Sequence, residues 1–264
     1  MEPETAARAF EPASPAMLEG RVALVTGGTR GIGRAIAMSL AQAGAIVLVS
    51  GRDAAVGAEV VAAIEAAGGT AFCLTADLAD DEAVGSLIGK SVAAAGKLDI
   101  LVNNAGIDAD APAIDYDLEA WRRVLRFNLE IPFRLSQDAA QHFLARDGGV
   151  IVNIASVLGF VAVGEACSYV AAKHGLIGLT KSLAVEWGKQ GVRVNAIAPG
   201  LIQTDMTSYL WQGEHADRYV DARIPLGRIG QPRDIGGAVV FLASDAADFI
   251  HGQTIAIDGG FLAT

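Results

Sequence analysis

The feature that most constrains the fold of this chain is an alternation of short apolar runs with longer segments of helical composition. Seven runs are apolar and rich in β-branched residues, which is typical of strands buried on both faces. These runs are Val22–Thr26, Ile46–Ser50, Thr70–Leu74, Asp99–Asn103, Val150–Ile154, Val192–Ile197 and Thr254–Ile257. Between them lie Ala- and Leu-rich segments of helical length, namely Gly31–Ala43, Ala54–Ala67, Asp80–Ala95, Leu118–Ala145, Ser168–Lys189 and Pro232–Ser244. The alternation predicts an α/β protein with a doubly wound, seven-stranded parallel sheet and helices on both faces.

No linker or repeat interrupts the pattern, so we expect residues 20–264 to form a single domain. Residues 1–19 are rich in Glu, Pro and Ala and offer nothing periodic to bury, which indicates a flexible leader. The one long stretch without a strand runs from about residue 200 to 230. It carries apolar side chains in a predicted loop, and loops of this length in compact domains are usually lids or binding loops. These side chains are Met206, Tyr209, Leu210, Trp211 and Tyr219.

Composition excludes several classes of partner. Thirty acidic against twenty basic residues give a formal net charge of −10, which disfavours nucleic acid and anionic lipid. The sequence has no signal-peptide pattern and no apolar run long enough to cross a bilayer, so we expect no membrane association and a cytoplasmic location. Its two cysteines suit a reducing compartment, and its four histidines show no metal-ligand spacing, so no metal is expected.

A glycine-rich turn follows the first predicted strand and opens the first predicted helix. Its sequence, TGGTRGIG, spaces the glycines as Gly27-x-x-x-Gly31-x-Gly33 rather than as GxGxxG. Glycines at a strand-to-helix turn let a pyrophosphate approach backbone N–H groups at the helix N-terminus. The alternative is that a tight turn needs glycine in any case. The candidate cofactor-binding residues of this turn are Gly27, Thr29, Arg30, Gly31, Ile32 and Gly33.

The residues after the second strand indicate which dinucleotide fits. NAD binders carry Asp or Glu there to accept bonds from the ribose hydroxyls, whereas a basic residue suits the 2′-phosphate of NADP. Here Ser50 and Gly51 fill the position and Arg52 follows, so no carboxylate repels a phosphate. Arg30 supplies a second guanidinium. The sequence therefore favours NADP(H) over NAD(H), the alternative being that Arg52 is a surface residue paired with Asp53.

A tyrosine and a lysine four residues apart, Tyr169 and Lys173, lie in the segment predicted as the fifth helix and so share one face of it. A tyrosine ordinarily titrates near pH ~10. An ammonium at about 4 Å would favour the phenolate by roughly 4 kcal/mol at an effective dielectric of ~20, enough to lower that pKa by about three units. By itself the spacing is a common coincidence.

Other polar residues cluster at the predicted carboxyl ends of the strands. Ser156 follows the fifth strand, where its hydroxyl can polarise a carbonyl group. The sequence NNAG ends the fourth strand and includes Asn104. Asn128 interrupts an apolar helical segment, and an asparagine buried there would need partners for its amide. Open α/β sheets bind their ligands at this edge, so we expect these side chains to face one crevice.

Taken together, these motifs resemble those of the short-chain dehydrogenase/reductase family over residues 19–262. TGGTRGIG, Asp77-Leu78, NNAG, the Asn128 segment, Ser156, Tyr169-x-x-x-Lys173 and the segment from Pro199 to Thr204 follow in family order. The resemblance implies a Rossmann-type fold and dinucleotide contacts from Asp77, Leu78, Asn104, Ala105, Gly106, Tyr169, Lys173, Pro199, Gly200, Ile202 and Thr204.

The same resemblance implies the catalytic roles. Tyr169 would donate the proton, while Lys173 would hold the nicotinamide ribose and lower the pKa of the tyrosine. Ser156 would orient the carbonyl, and Asn128 would fix a water that replaces the proton. Hydride would pass between the nicotinamide and a carbonyl or carbinol carbon of a small molecule, with reduction as the expected direction.

Within the family, the chain is similar both to 3-oxoacyl-[acyl-carrier-protein] reductases and to gluconate 5-dehydrogenase-like enzymes. Asp147 and Gln190 stand where the carrier-protein reductases resemble one another in having arginine. Together with the acidic net charge, this weakens attraction to an acidic carrier. A free ketone or keto-acid is therefore expected at least as much as a carrier-bound substrate. The expected reaction is reduction of a ketone or 3-oxoacyl-type carbonyl to a secondary alcohol, a sugar acid being the alternative substrate. A non-catalytic nucleotide-binding regulator is a further alternative, because fold does not fix function.

We also expect a homotetramer. The predicted helix around Tyr169 carries apolar residues on more than one face, namely Val170, Ala171, Leu176, Ile177, Leu179, Leu183 and Val185. A second apolar face must bury against something outside its own sheet. The last strand is expected at a sheet edge, which is a second surface needing cover. Two self-complementary surfaces generate a tetramer.

Overall fold

The computed structural model describes residues 17–208 and 214–264, and it contains one parallel sheet of seven strands. The strands are β1 (Val22–Thr26), β2 (Ile46–Gly51), β3 (Thr70–Thr75), β4 (Ile100–Asn103), β5 (Gly149–Ile154), β6 (Val192–Pro199) and β7 (Thr254–Ile257). Their order in the sheet is β3-β2-β1-β4-β5-β6-β7. The predicted α/β fold, with a doubly wound seven-stranded sheet, is confirmed.

Eight α-helices occur in the part of the chain that the structure describes. They are α1 (Gly31–Gln42), α2 (Ala54–Ala66), α3 (Asp81–Ala95), α4 (Leu118–Leu125), α5 (Ile131–Leu144), α6 (Cys167–Trp187), α7 (Glu214–Arg223) and α8 (Arg233–Ala243). The helix predicted over Leu118–Ala145 is divided by a π-helical turn at Arg126–Glu130. Helix α7 was not predicted, because its sequence is mostly polar and shows no apolar stripe.

Three of the helices begin where an aspartate accepts hydrogen bonds from backbone N–H groups of the first turn. Asp53 accepts from the N–H of Ala55 at 2.8 Å, at the start of α2. Asp80 and Asp117 cap α3 and α4 in the same way. The first N–H groups of a helix have no partner within the helix, so these caps fix the positions at which the connections from the sheet end.

Successive side chains of each strand point to opposite faces of the sheet, and both faces are covered. In β1, Ala23 and Val25 pack in the cluster formed with α1, α2 and α8. Val22 and Leu24 pack in the cluster formed with α3, α5 and α6. Burial on both faces explains why the strands appear in the sequence as continuous apolar runs.

The predicted leader ends earlier than residue 19. Leu18 is fully buried in the first of these clusters, and its N–H donates to the carbonyl of Ala43 at 2.8 Å. Residues 17–19 therefore belong to the folded domain. The rest of the predicted leader, and Tyr209, Leu210 and Trp211 of the predicted lid, lie outside the described residues.

The surfaces expected to bind further copies of the chain are partly apolar. Leu176, Ile177 and Leu183 of α6 are buried in the chain's own core, whereas Val185 is 86% exposed. Strand β7 lies at an edge of the sheet, and Phe249, shortly before it, is fully exposed. The apolar residues of α6 thus serve the chain's own core more than the sequence pattern indicated.

A topological switch separates β1 from β4. The chain runs outward from β1 to β3 and then returns to β4, which pairs with the other side of β1. The loops that follow β1 and β4 consequently diverge, and a crevice opens beyond the carboxyl ends of these two strands. This is the place where open α/β sheets bind ligands.

Candidate active site

The glycine-rich turn after β1 has the close backbone packing that only glycine permits. Gly27 has φ 62° and Gly31 has φ 51°, both in the left-handed region. A Cβ atom on Gly33 would lie 2.1 Å from the carbonyl oxygen of Gly27, so no side chain fits there. The turn leads directly into α1, whose first N–H groups have no helical partner. The backbone thus forms a cradle suited to a phosphate group.

Asn104 fixes this cradle from the neighbouring strand. Its Nδ2 donates to the carbonyls of Thr26 at 2.8 Å and of Gly27 at 3.2 Å. The hydroxyl of Thr26 accepts in return from the N–H groups of Asn104 and Ala105, at 3.0 and 3.1 Å. Asn104 and Ala105 therefore hold the loops on the two sides of the crevice at a fixed distance.

The end of β2 lies beside Thr29 of the glycine-rich turn. A Cβ atom on Gly51 would lie 2.5 Å from Cγ2 of Thr29 and 2.9 Å from its Oγ1, so Thr29 occupies the space of any side chain at position 51. Arg52 is exposed, and the carboxylate of Asp53 caps α2 rather than pairing with it. The structure thus disfavours the alternative in which Asp53 neutralises Arg52. Arg30 is also exposed, at the N-cap of α1.

The other expected dinucleotide contacts lie on loops that follow β3 and β6. Asp77 is exposed and accepts from the N–H of Ala79, while Leu78 is buried. The loop after Pro199 reaches the glycine-rich turn, since a Cβ atom on Gly31 would lie 3.4 Å from Cγ2 of Thr204. The remaining residues of that loop are held from two sides. The Gly200 N–H donates to the carbonyl of Ile257 at 2.9 Å, and Ile202 is bridged to Gly230.

Helix α6 carries Tyr169 and Lys173 one turn apart. The side chain of Lys173 is buried, and its Nζ donates to the carbonyl of Ile154 at the end of β5, at 2.8 Å. The same Nζ lies 5.3 Å from the centroid of the Tyr169 ring. The expected pairing on one helical face is therefore present, and the strand carbonyl sets the position of the ammonium.

The protonation equilibria of this pair are both displaced toward the neutral forms. Burial raises the pKa of Tyr169, and the Asp108 carboxylate adds to the effect, against a smaller lowering by a hydrogen bond with Ser156. Burial lowers the pKa of Lys173 to about 8, although Asp108 favours its charged form. The net pKa of Tyr169 is thus raised, because desolvation of the phenolate is the largest effect, and the lowering expected from Lys173 stays a prediction.

Ser156 follows β5 and lies next to the tyrosine. Its side chain is buried, and its Oγ accepts from the N–H of Leu158 at 3.1 Å, which caps the short 3₁₀ helix Val157–Gly159. Because that N–H occupies only an acceptor site of the hydroxyl, the Ser156 proton remains able to donate toward a ligand oxygen.

Asn128 lies in the π-helical turn and is almost fully buried. Its Nδ2 donates to the carbonyls of Ile107 at 2.7 Å and of Val124 at 3.0 Å. Its Oδ1 is buried and has no hydrogen-bond partner. A Cβ atom on Gly106 would lie 2.5 Å from this Oδ1 and 3.9 Å from Nζ of Lys173, so the free acceptor lies close to the lysine. A buried acceptor of this kind is costly unless a water or ligand uses it.

Sequence reasoning missed two residues of this region, Asp108 and Tyr116. The hydroxyl of Tyr116 donates to the carbonyl of Ala109 and lies 2.6 Å from Oγ of Ser168, the residue before Tyr169. Asp108 influences the pKa of both Tyr169 and Lys173. The sequence offered one indication for Asp108, which is its position two residues after the NNAG motif at the end of β4. Nothing in the sequence distinguished Tyr116.

The site can perform acid–base chemistry beside a bound dinucleotide. Glycines line a phosphate cradle, and the four expected catalytic residues lie beside it, after the end of β5, on α6 and in the π-helical turn. The free acceptor on Asn128 suits an ordered water. Within residues 17–208 and 214–264, no group of three or more His, Cys, Asp or Glu is placed to hold a metal. In the same residues, no helix is long and apolar enough to cross a membrane.

Comparison with known proteins agrees with this geometry. The family model described as enoyl-(acyl carrier protein) reductase matches residues 27–262. The 2-dehydro-3-deoxy-D-gluconate 5-dehydrogenase of Escherichia coli (strain K12) is 42% identical over 247 residues, which make up 93% of this chain and 97% of that protein. The 3-oxoacyl-[acyl-carrier-protein] reductase of Staphylococcus aureus (strain Mu50 / ATCC 700699) is 44% identical over 239 residues, or 90% and 96% of the two chains.

A solved structure shares both the fold and much of the sequence. The gluconate 5-dehydrogenase from Burkholderia cenocepacia J2315, determined in complex with NADP and tartrate, superposes with a TM-score of 0.90. It is 36% identical, and the match covers 95% of this chain and 98% of that one. The similarity thus extends over nearly the whole of both chains.

Proposed function

The chain belongs to the short-chain dehydrogenase/reductase family of oxidoreductases, which act on CH–OH and C=O groups, and we propose that it reduces a ketone or 3-oxoacyl-type carbonyl to a secondary alcohol with NADP(H). The observation that carries the proposal is the convergence of Tyr169, Lys173, Ser156 and Asn128 at the crevice beside the glycine-rich turn. All four side chains are present, which argues against a non-catalytic regulator.

The geometry gives each residue a distinct task. The dinucleotide, when bound, supplies the hydride. Tyr169 donates its phenolic proton to the substrate oxygen, since the phenol is protonated at neutral pH. Ser156 donates its hydroxyl proton to the same oxygen and holds it in place. Lys173 holds the nicotinamide ribose, and Oδ1 of Asn128 accepts from a water that replaces the tyrosine proton.

The preference for NADP(H) rests on the pocket at the end of β2. Thr29 fills the position where an acidic side chain of residue 51 would lie, and Arg30 before α1 and Arg52 after β2 are both exposed. Guanidinium groups bind phosphate through paired hydrogen bonds. The NADP found in the Burkholderia enzyme is consistent with this preference. We propose that the remaining dinucleotide contacts are those that the family resemblance implies, from Asp77, Leu78 and the loops that follow β4 and β6.

The experiment is a screen of ketones, 3-oxoacyl thioesters and keto sugar acids with NADPH and with NADH. We expect NADPH oxidation with at least one ketone and a preference for NADPH of about tenfold or more, since charge-assisted contacts contribute ~1.5–3 kcal/mol each. Tyr169→Phe should abolish turnover and retain NADPH binding. Substantial activity in that variant, or equal use of both dinucleotides by the wild type, would contradict the proposal.

A sugar acid is the second candidate substrate. The similarity to gluconate dehydrogenases favours it, including the enzyme whose structure holds tartrate. An acyl carrier protein is disfavoured, because Asp147 and Gln190 leave the surface less basic there and the chain is acidic overall.

We also propose a homotetramer and a substrate lid over residues 200–230. Val185 of α6 and Phe249 beside β7 are large apolar side chains exposed on separate elements, and each suits burial against another copy. The lid would include α7, in which Val220 is buried, and Ile224 directly after it, which is also buried.

A further inference from the structure

Asp108 is an acidic side chain beside the reacting groups for which the proposed chemistry has no use. It is half-buried, and its Oδ1 accepts from the N–H of Ala109 at 2.7 Å. Among the residues that the structure describes, no lysine or arginine forms an ion pair with it. A partly desolvated carboxylate without such a partner costs free energy, so its position calls for an explanation other than stability.

The segment that carries Asp108 is held in place from three sides. Nδ2 of Asn128 donates to the carbonyl of Ile107 at 2.7 Å. Tyr116 bridges the carbonyl of Ala109 to Oγ of Ser168. The N–H of Ala111 donates to the carbonyl of Glu165 at 2.9 Å. The elements that hold Asp108 are therefore the same ones that carry Asn128 and Tyr169.

The charge of Asp108 reaches the place where the substrate reacts. Its carboxylate raises the pKa of Tyr169 and opposes the lowering of the pKa of Lys173, so its field extends over both side chains. Burial raises the pKa of Asp108 and Asp110 adds to the effect, while the hydrogen bond from Ala109 and the charge of Lys173 lower it. Glu165, to which the segment is bonded, is also exposed and acidic. The carboxylate of Asp108 thus gives this wall of the site a negative charge beside the reacting groups.

We propose that Asp108 is a specificity-determining residue that selects substrates by charge, favouring a ketone or alcohol whose neighbouring group is neutral or cationic and disfavouring a carboxylate. A hydroxyl, amide or ammonium group can donate to the second oxygen of Asp108. A carboxylate has no proton to donate and is repelled. The inference rests on the proposed function, and it separates this chain from relatives named for gluconate derivatives.

The test compares three 4-substituted cyclohexanones, each reduced with NADPH. They are 4-oxocyclohexanecarboxylate, 4-oxocyclohexanecarboxamide and 4-(trimethylammonio)cyclohexanone. We expect kcat/KM of the wild type to be about tenfold or more lower for the carboxylate than for the other two. Asp108→Asn keeps an oxygen that accepts from the Ala109 N–H. It should raise the ratio of kcat/KM for the carboxylate to kcat/KM for the amide by about tenfold. A ratio of two substrates on one enzyme cancels any change in the pKa of Tyr169.

Asp115→Asn is the matched control, because Asp115 is exposed in the same connection and takes no part in the site. It should leave the ratio of kcat/KM values unchanged.

If these ketones are not reduced, the acid and the amide are tested as competitive inhibitors of the best ketone of the screen, and the ratio of their inhibition constants is measured instead. A wild type that prefers the carboxylate, or an Asp108→Asn ratio equal to that of the wild type, overturns the inference and leaves the proposed function standing. The absence of NADPH oxidation with every ketone overturns both.

Discussion

The burial of Lys173 predicts a specific dependence of stability on pH. The ordinary lysine pKa of 10.5 falls to about 8 at Lys173 because the ammonium is desolvated. One pH unit of difference between the folded and unfolded pKa corresponds to about 1.4 kcal/mol, so the charged lysine costs the native state about 3 kcal/mol near neutral pH. Lys173→Met removes this cost and also removes the hydrogen bond to Ile154, worth about 1 kcal/mol.

The sign follows from where the proton is bound. Between about pH 8 and 10.5 the unfolded chain holds the lysine proton and the native chain does not, so the free energy of unfolding rises with pH in this window. Integration from pH ~7 to ~9.5 gives a gain of about 2 kcal/mol for the wild type relative to the variant. Lys173→Met should therefore be about 2 kcal/mol more stable at neutral pH and nearly equal at pH ~9.5.

The assay is denaturant-induced unfolding of the dinucleotide-free protein across this range, at one fixed protein concentration because oligomers dissociate on unfolding. The other titrating groups are common to both proteins, so the difference between the two curves isolates Lys173. Lys181→Met is the matched control, since Lys181 is exposed on the same helix. Parallel curves for the wild type and Lys173→Met would show that the buried lysine keeps its ordinary pKa, and would refute the reasoning.

Two further predictions concern the dinucleotide pocket and assembly. Gly51→Asp alone should lower kcat/KM with NADPH without raising kcat/KM with NADH, because its Cβ would lie 2.5 Å from Cγ2 of Thr29. Adding Thr29→Gly removes that clash and should raise kcat/KM with NADH by about tenfold over the single variant. Efficient NADH use by Gly51→Asp alone would contradict this. Sedimentation should give a mass four times 27.2 kDa for the wild type, and dimers for Val185→Glu or Phe249→Glu. A monomeric wild type would exclude the tetramer.

The strands could be predicted from the sequence because burial on both faces leaves a continuous apolar signal. The starts and ends differ by one or two residues, as at β6, which continues to Pro199 because its last residues pair with β7. The helix α7 could not be predicted, since its polar sequence lacks the apolar stripe that marks a helix on a sheet. The π-helical turn also left no periodic signal. Only the unexplained Asn128 in an apolar segment indicated a local irregularity.

For the site, the helical spacing of Tyr169 and Lys173 predicted their common face, but not their environment. The pKa of each depends first on burial and then on the carboxylate of Asp108, which is distant in the sequence. Burial is a property of the packed chain, and spacing does not report it. The net direction of the tyrosine pKa therefore differs from the expected lowering, although the two residues share one helical face as predicted.

One physical cause unites the energetics and the chemistry of this site. Burial disfavours the charged forms of both Tyr169 and Lys173, so the phenol keeps its proton while the ammonium is held at a cost in stability. A free acceptor on Asn128 adds a second cost. Neither arrangement improves the core, yet the first places a cation beside the phenol that gives up its proton, and the second provides a place for a water to replace that proton. Stability given up at the same few residues that handle the proton is the pattern expected of a site shaped by catalysis.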